Sequence, residues 1–276
     1  MHTALRATVA LVLLGASLMI TDLLPARSVP DDPVNVFKHG ERIVYKVRWW
    51  IFRLGTIVVT TEKIEDTTAT NAYRVRVSLE SDPSIFFLSV KSQYESVITV
   101  SPLRCTQFIG YEIDGKDTLV TLYVANDSLR QVRMEEWKYP AGMKVREKIV
   151  DGLDAFYEGA SLVFLARKML HSNLQIVAPT VVDMQFFTTN INFTEEVSSL
   201  SIDAYPHPIS VKELNGRANF SGKSLAGFSG DFRGFFSNDD AAIPVKAEMN
   251  ITLGRAHVEL EHWSRPGWTP PSPKGK

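Results

Sequence analysis

Hydrophobic and polar residues alternate with a period of two along most of this chain. From Ala72 to Glu80, Tyr73, Val75, Val77 and Leu79 fall on one side and Arg74, Arg76, Ser78 and Glu80 on the other. That is the pattern of an antiparallel strand with one buried and one wet face. Ile43, Tyr45, Val47 and Trp49 alternate with Arg42, Lys46 and Arg48 in the same way, and Gly55 to Lys63 continues it. Further strands are predicted at Ser92 to Val100, Leu103 to Ile113, Asp117 to Ala125, Leu129 to Trp137 and Met143 to Val150. Ser101-Pro102, Asp114-Gly115, Asn126-Asp127 and Pro140-Ala141-Gly142 punctuate them as turns, with Asp-Gly the strongest hairpin signal.

One segment departs from this period. From Leu153 to His171 the apolar positions Phe156, Tyr157, Ala160, Val163 and Phe164 follow helical spacing, and Leu162, Leu165, Ala166, Met169 and Leu170 widen the stripe almost all round. Asp151 stands where an N-cap would, and Arg167, Lys168 and His171 suit the C-terminal end. A helix so apolar is predicted to be buried against a sheet. Strands then resume at Leu174 to Ala178, Val181 to Asn190, Val197 to Ala204, Ile209 to Leu214, Ala218 to Lys223, Asp231 to Ser237, Pro244 to Thr252 and Arg255 to Trp263. The expectation is a mainly β fold: a curved antiparallel sheet or incomplete β-barrel of about ten to fourteen strands, with the helix on its concave side or plugging one end.

The two ends of the chain read differently. Met1 to Arg6 is weakly basic, Ala7 to Ile20 is apolar, and Ala26-x-Ser28 offers small residues for cleavage. This is the order of a secretory signal, so residues 1–28 are read as a signal peptide and 29–37 as a linker, with export to the periplasm. The run is shorter than the roughly 20 residues of a spanning helix; an uncleaved signal is the one route by which the chain would be held in a membrane. No cysteine follows the run to be acylated. At the other end, Ser264 to Lys276 is rich in proline and is predicted to be a disordered tail after a single β-rich domain, residues 38–263.

Composition narrows the function classes. The net charge is −1, with acids and bases interspersed, so the footprint of a nucleic-acid binder is missing. Cys105 is the single cysteine, which excludes an intramolecular disulfide framework and reads as a small buried hydrophobe. Asn126, Asn192, Asn219 and Asn250 are sequons that would matter only in a eukaryotic secretory pathway.

Candidate chemistry is thin. Gly222-Lys223-Ser224-Leu225-Ala226 nearly matches a nucleophile elbow, but no helix signal follows, and Gly216 is one residue too far upstream for a phosphate loop. His257, Glu259 and Glu261 would share a strand face and could converge on zinc, although Arg255 sits on that face too. Asn238-Asp239-Asp240 reads as a hairpin turn rather than a calcium loop. Glu135-Glu136 and Glu195-Glu196 would point to opposite faces of a strand. No catalytic set, metal or cofactor is predicted; a metal-dependent enzyme on the His257 face is the second alternative.

What stands out is a surplus of aromatic neighbours: Trp49-Trp50 with Phe52, Phe86-Phe87, Phe186-Phe187 and Phe235-Phe236. Adjacent residues in a strand place one ring on each face, so the pairs describe either a sheet buried on both sides or the lining of an apolar cavity. Trp49, Phe156, Phe164, Phe186 and Phe236 are the expected ligand-lining residues. The expected function is a non-catalytic envelope protein that binds an apolar ligand or lipid, or alternatively a scaffold that binds an envelope partner.

Three stretches carry a family resemblance. Gly40 to Val47 with Gly55-Thr56, Asp151 to Tyr157, and Phe236 to Asp240 through Ile243 to Lys246 and Gly254 together resemble the exported bacterial family of unknown function numbered 3108. Glu158 and Gly159 depart from the serine and arginine that often follow its helix entry. The resemblance spans nearly all of Lys38 to Trp263 and implies a secreted, mostly antiparallel β protein without an established activity.

Overall fold

Alternation of this length, with a buried face on most strands, produces one antiparallel sheet of fourteen strands among the described residues. A computed structural model describes residues 36–65, 71–85, 89–153, 156–219, 230–251 and 254–273. The segment read as a signal peptide (1–28), Phe86-Phe87 and Gly222-Lys223-Ser224 lie outside the described residues. The first meander comprises β1 (Glu41–Trp49), β2 (Phe52–Lys63), β3 (Ala72–Ser81), β4 (Lys91–Val100), β5 (Leu103–Asp114), β6 (Asp117–Asn126), β7 (Gln131–Tyr139) and β8 (Met143–Asp151). Helix α1 (Gly159–Met169) follows. The second meander is β9 (Gln175–Val182), β10 (Gln185–Ile202), β11 (Tyr205–Ala218), β12 (Gly230–Ser237), β13 (Pro244–Ile251) and β14 (Gly254–Ser264).

Each strand pairs with the next in its meander, and β14 pairs with β1, so the sheet runs from β8 through β1 and β14 to β9. The sheet is not closed into a ladder; β8 and β9 are its two margins. Side chains bridge them instead. Arg146 on β8 binds Asp183, in the turn after β9, at 2.5 Å, and Lys148 Nζ donates to the Met184 carbonyl. The Met184 N–H donates to the Tyr123 hydroxyl at 3.0 Å.

The alternation is realised in detail. On β3, Val75 is fully buried while Arg74 and Arg76 reach across the outer face to Glu95. Ile113 pairs with Thr118 and Asp114 with Asp117, so the hairpin turns on Gly115-Lys116, with Gly115 at φ +63°. The two strands predicted between Val181 and Ala204 contribute to one long strand, β10. The ladder to β11 shifts register between Phe193 and Val197, which is where the alternation breaks.

The helix is shorter than predicted. It starts at Gly159, and its cap is Glu158, not Asp151, which is the last residue of β8. The Glu158 carboxylate accepts from the Ala160 and Ser161 N–H groups, and Ser161 Oγ accepts from the Glu158 N–H, a reciprocal capping pair. Phe156 and Tyr157 precede the helix as extended chain. The Tyr157 N–H donates to the Pro179 carbonyl and its own carbonyl accepts from Val181, a short parallel bridge along β9. Apolar spacing cannot separate a buried extended segment from a first helical turn, which explains the misplaced start.

Inside the curl, α1 touches both meanders. Phe164 stacks on Phe37 at 4.4 Å and packs with Val75, Ile98 and Leu103 of the first meander. Ala166, Met169 and Leu170 pack on Ile191, Phe193, Leu214 and Phe236 of the second.

The proline-rich end is also corrected. Arg265 is buried against Glu41, the Trp268 indole N–H donates to Asp239 at 2.8 Å, and the Pro271 carbonyl accepts from Ser210. Through residue 273 this segment is a packed strap rather than a disordered tail. Composition alone cannot register that three specific partners are waiting for it. All described residues belong to one compact unit, Pro33–Lys276.

Candidate functional site

The predicted ligand-lining aromatics do not converge. Phe164 belongs to the cluster with Phe37 and Val75, and Phe236 to the cluster under Met169 and Leu170. Phe156 and Phe186 do meet, in a third cluster with Cys105, Tyr123, Val132 and Met134, where Phe156 sits edge-on to Tyr123. Trp49 lies at the end of β1 and stacks on Phe52 at 6.2 Å. Four of the five are therefore packed in three separate cores, and the fifth sits at a strand end.

Each polar candidate is accounted for by a local partner. His257 faces Glu248 at 3.7 Å, Glu259 binds Lys46 at 2.8 Å, and Glu261 takes a two-pronged grip from Arg53 at 2.6 and 2.8 Å. A register shift between Val44 and Tyr45 leaves Glu261 without a partner position in the β1–β14 ladder. Among the described residues no group of three or more His, Cys, Asp or Glu side chains could hold a metal ion. Asp239 caps its own turn, accepting from the Ser237 hydroxyl and the Ala242 N–H. Glu135 binds Lys144 and the Trp137 indole, whereas Glu136 binds Arg146, so the pair is divided between partners. Cys105 is fully buried; burial, with the nearby Glu158 carboxylate, pushes its thiol well above the usual range.

One buried polar group has more than a local role. Glu41 on β1 accepts from Arg167 of α1 at 2.8 and 3.1 Å and is also bound by Arg265 of the strap. Arg167 donates in addition to the Ala241 carbonyl. Burial alone would raise the Glu41 carboxyl, but the two guanidiniums outweigh it and hold it below the usual carboxylate range. The knot ties strand, helix and strap together and occupies interior volume with charge.

The outer surface is where apolar groups are left uncovered. A depression of about 420 Å³ on β6–β8 has Leu122, Val124 and Ile149 in its wall with Gln131, Arg133 and Glu135 beside them. The second feature is a rim. In an antiparallel meander every odd-to-even turn lies at the same end of the sheet, and three of these hairpins carry exposed apolar residues. Trp50, Ile51 and Phe52 are 77%, 70% and 44% exposed; Tyr111 and Ile113 are 43% and 52%; Tyr139 and Met143 are 45% and 54%. The even-to-odd turns hold Asn126 to Arg130 and Asn238 to Asp240, with Leu129 and, before β9, Leu174 exposed, whereas the β10–β11 turn reaches across to β1, where Asp203 binds Lys46 and Arg48. Sequence reasoning counted Trp49, Trp50 and Phe52 among the aromatic surplus divided between the two faces of a strand, with Trp49 as a ligand-lining candidate. The overlooked signal was that Trp50-Ile51 is itself the turn, where chains ordinarily place Gly, Asn or Asp.

An open antiparallel β-barrel-like sheet wrapped around the one helix among the described residues is thus the class of fold this chain adopts. No protein-family model and no curated protein matches it. Among solved structures it is similar to a β-barrel-like protein of domain of unknown function 1849 from Brucella abortus, with a TM-score of 0.54 and 7% identity over 84% of this chain and 100% of that one. At that identity the likeness speaks for the fold alone.

Proposed function

We infer that this is an exported cell-envelope protein that works without catalysis, through its outer surface rather than an internal ligand chamber. The carrying observation is the disposition of apolar side chains. Four of the five aromatics expected to line a chamber are packed in separate core clusters, while Trp50, Ile51 and Phe52 at the rim and Val124 and Ile149 on β6–β8 are among the exposed apolar residues. Export is read from the apolar run Ala7 to Ile20 and the Ala26-x-Ser28 site. Kinship with the exported family numbered 3108 belongs to the same proposal; the structural neighbour carries a different family number.

Native mass spectrometry of the protein extracted from its own cells tests the reading. The expected mass is that of the bare polypeptide beginning near Val29, without stoichiometric zinc. A bound acyl-chain species would overturn it in favour of an apolar-ligand carrier, and an intact Met1 in the membrane fraction would replace export by anchoring. The carrier reading keeps one supporting feature, the barrel-like wrap of sheet around a helix, an architecture that often encloses ligands.

A further inference from the structure

The two meanders are joined in two different ways. Where β1 meets β14, a hydrogen-bonded ladder runs from Arg42 to Trp49. Where β8 faces β9 there is no ladder among the described residues. Arg146, Lys148 and Tyr123 of the first meander reach over instead, and all three end on Asp183 or Met184, the two-residue turn between the paired Val182 and Gln185.

That turn is strained. Both residues hold left-handed backbone, at φ +49° and +58°. Aspartate accepts such a position readily, but the second place in a turn of this kind ordinarily goes to glycine, and a methionine there persists only if its surroundings over-determine it. They do so from across the seam. The Met184 N–H donates to the Tyr123 hydroxyl at 3.0 Å and its carbonyl accepts from Lys148 Nζ at 3.4 Å. Its side chain, 4% exposed, shares a cluster with Tyr123, Met134 and Phe156.

The polar contacts can be given up at little cost. Arg146 Nη2 donates at 2.5 Å both to Glu136 and to Asp183, so a departing Asp183 leaves no stranded guanidinium. The Arg146 and Asp183 side chains are already 40% and 38% exposed, and each returns to water with little penalty. What opposes release is chiefly the burial of Met184. Further along β9, the Tyr157 N–H donates to the Pro179 carbonyl at 2.9 Å and its own carbonyl accepts from Val181 at 2.7 Å. This backbone bridge limits the movement and keeps Cys105 covered, the Cys105 N–H donating to the adjoining Phe156 carbonyl.

We propose that the β9–β10 turn is a releasable latch: Asp183 and Met184 let go of Arg146, Lys148 and Tyr123, and the wrap opens along β8–β9 as far as the Tyr157 bridge while the ladders stay intact. The open form presents Met184 and Tyr123, both buried in the closed one, with Phe186 beside them. The inference goes beyond the outer-surface reading and does not rest on it, since opening is a property of the purified chain wherever the cell places it.

Full-length chain carrying Cys105→Ala is given a thiol either at the latch, Met184→Cys, or in the β1–β14 join, Ile43→Cys, a residue hidden as completely as Met184. In native buffer a maleimide should label the latch position at least about a hundredfold faster, because local opening needs less free energy than global unfolding. Asp183→Asn should accelerate latch labelling about threefold and Tyr123→Phe about fivefold, the worth of the contact each removes. Phe164→Leu weakens packing that the closed and open forms share, so it should accelerate labelling at Ile43→Cys and leave Met184→Cys unmoved. A cysteine is a smaller plug than methionine, so hydrogen exchange of the unmodified protein repeats the comparison between the Met184 amide and those of β1, and carries the test if a variant fails to fold. Equal rates at the two positions, or equal acceleration of both by Phe164→Leu, would overturn the proposal and show that the seam opens only when the whole chain unfolds. Fast latch labelling that ignores both Asp183→Asn and Tyr123→Phe would overturn it too, because those contacts would then hold nothing closed.

Discussion

Replacing Glu41 by Gln isolates the knot that joins β1, α1 and the strap. The amide keeps the size of the side chain but removes the negative charge shared by Arg167 and Arg265, all three groups being nearly inaccessible to water. Two guanidiniums would then face each other across a neutral group, with Arg167 keeping its bonds to the Ala241 carbonyl. Breaking a buried ion pair by neutralising one partner costs about 3–5 kcal/mol, because an uncompensated buried charge is left behind. With a denaturant slope of about 4 kcal/mol per molar guanidinium, the unfolding midpoint should fall by about 1 M. The cost should shrink when Arg167→Met accompanies Glu41→Gln, since the second change removes one of the stranded charges. Equilibrium unfolding followed by tryptophan fluorescence measures both variants. A loss below about 1 kcal/mol in Glu41→Gln, or a double variant worse than the sum of the singles, would show that water reaches the knot and would refute the argument.

Other outcomes follow from the same interior. Phe164→Ala removes a ring stacked on Phe37 and should lower stability by about 3–5 kcal/mol, read as a thermal or denaturant shift; an unchanged melt would mean that the helix is peripheral. Because Glu41 is held below its ordinary value of 4.5, its contribution is present above that pH and is lost as the pH falls through its folded value. Stability should therefore decline on acidification below about pH 4.5, and less steeply in Glu41→Gln, whose titration is gone. The Cys105 thiol, buried and pushed upwards, should react with a maleimide only after denaturation; rapid labelling of the folded protein would contradict its place in the core.

How far the chain could be read depended on whether a feature was periodic or conditional on a distant partner. The strand at Tyr73, Val75, Val77 and Leu79 was legible because one buried face imposes a two-residue repeat that no other structure shares. The long helix was legible as a buried apolar segment but not in its start, since Phe156 and Tyr157 are buried whether extended or helical. The strap was misread because proline-rich composition reports on local stiffness, whereas Arg265 and Trp268 are fixed by Glu41 and Asp239, more than two hundred and about thirty residues away. Of the adjacent aromatics, Trp50 proved to lie in the turn after β1, outside any strand. They could not announce that Phe156 and Phe186 would share a cluster while Phe164 and Phe236 went elsewhere, because that division is made by α1 lying between the meanders.

The pairing of β1 with β14 gives synthesis a direction-dependent hazard. Lys46 lies opposite Glu259, and Arg42 opposite Ser264, so the first strand made has one of its two neighbours in the last strand made. Ladders within each meander close over short loops and can form as the chain emerges, whereas this one closes a loop of more than two hundred residues and must wait. Until then one margin of β1 offers unpaired amide and carbonyl groups beside Ile43, Tyr45 and Val47, a template for wrong pairing with another nascent chain. A chain cut short before Gly254 would keep that margin open for good, together with a second one on β13, and so a late nonsense codon would be expected to produce aggregate rather than a nearly complete barrel.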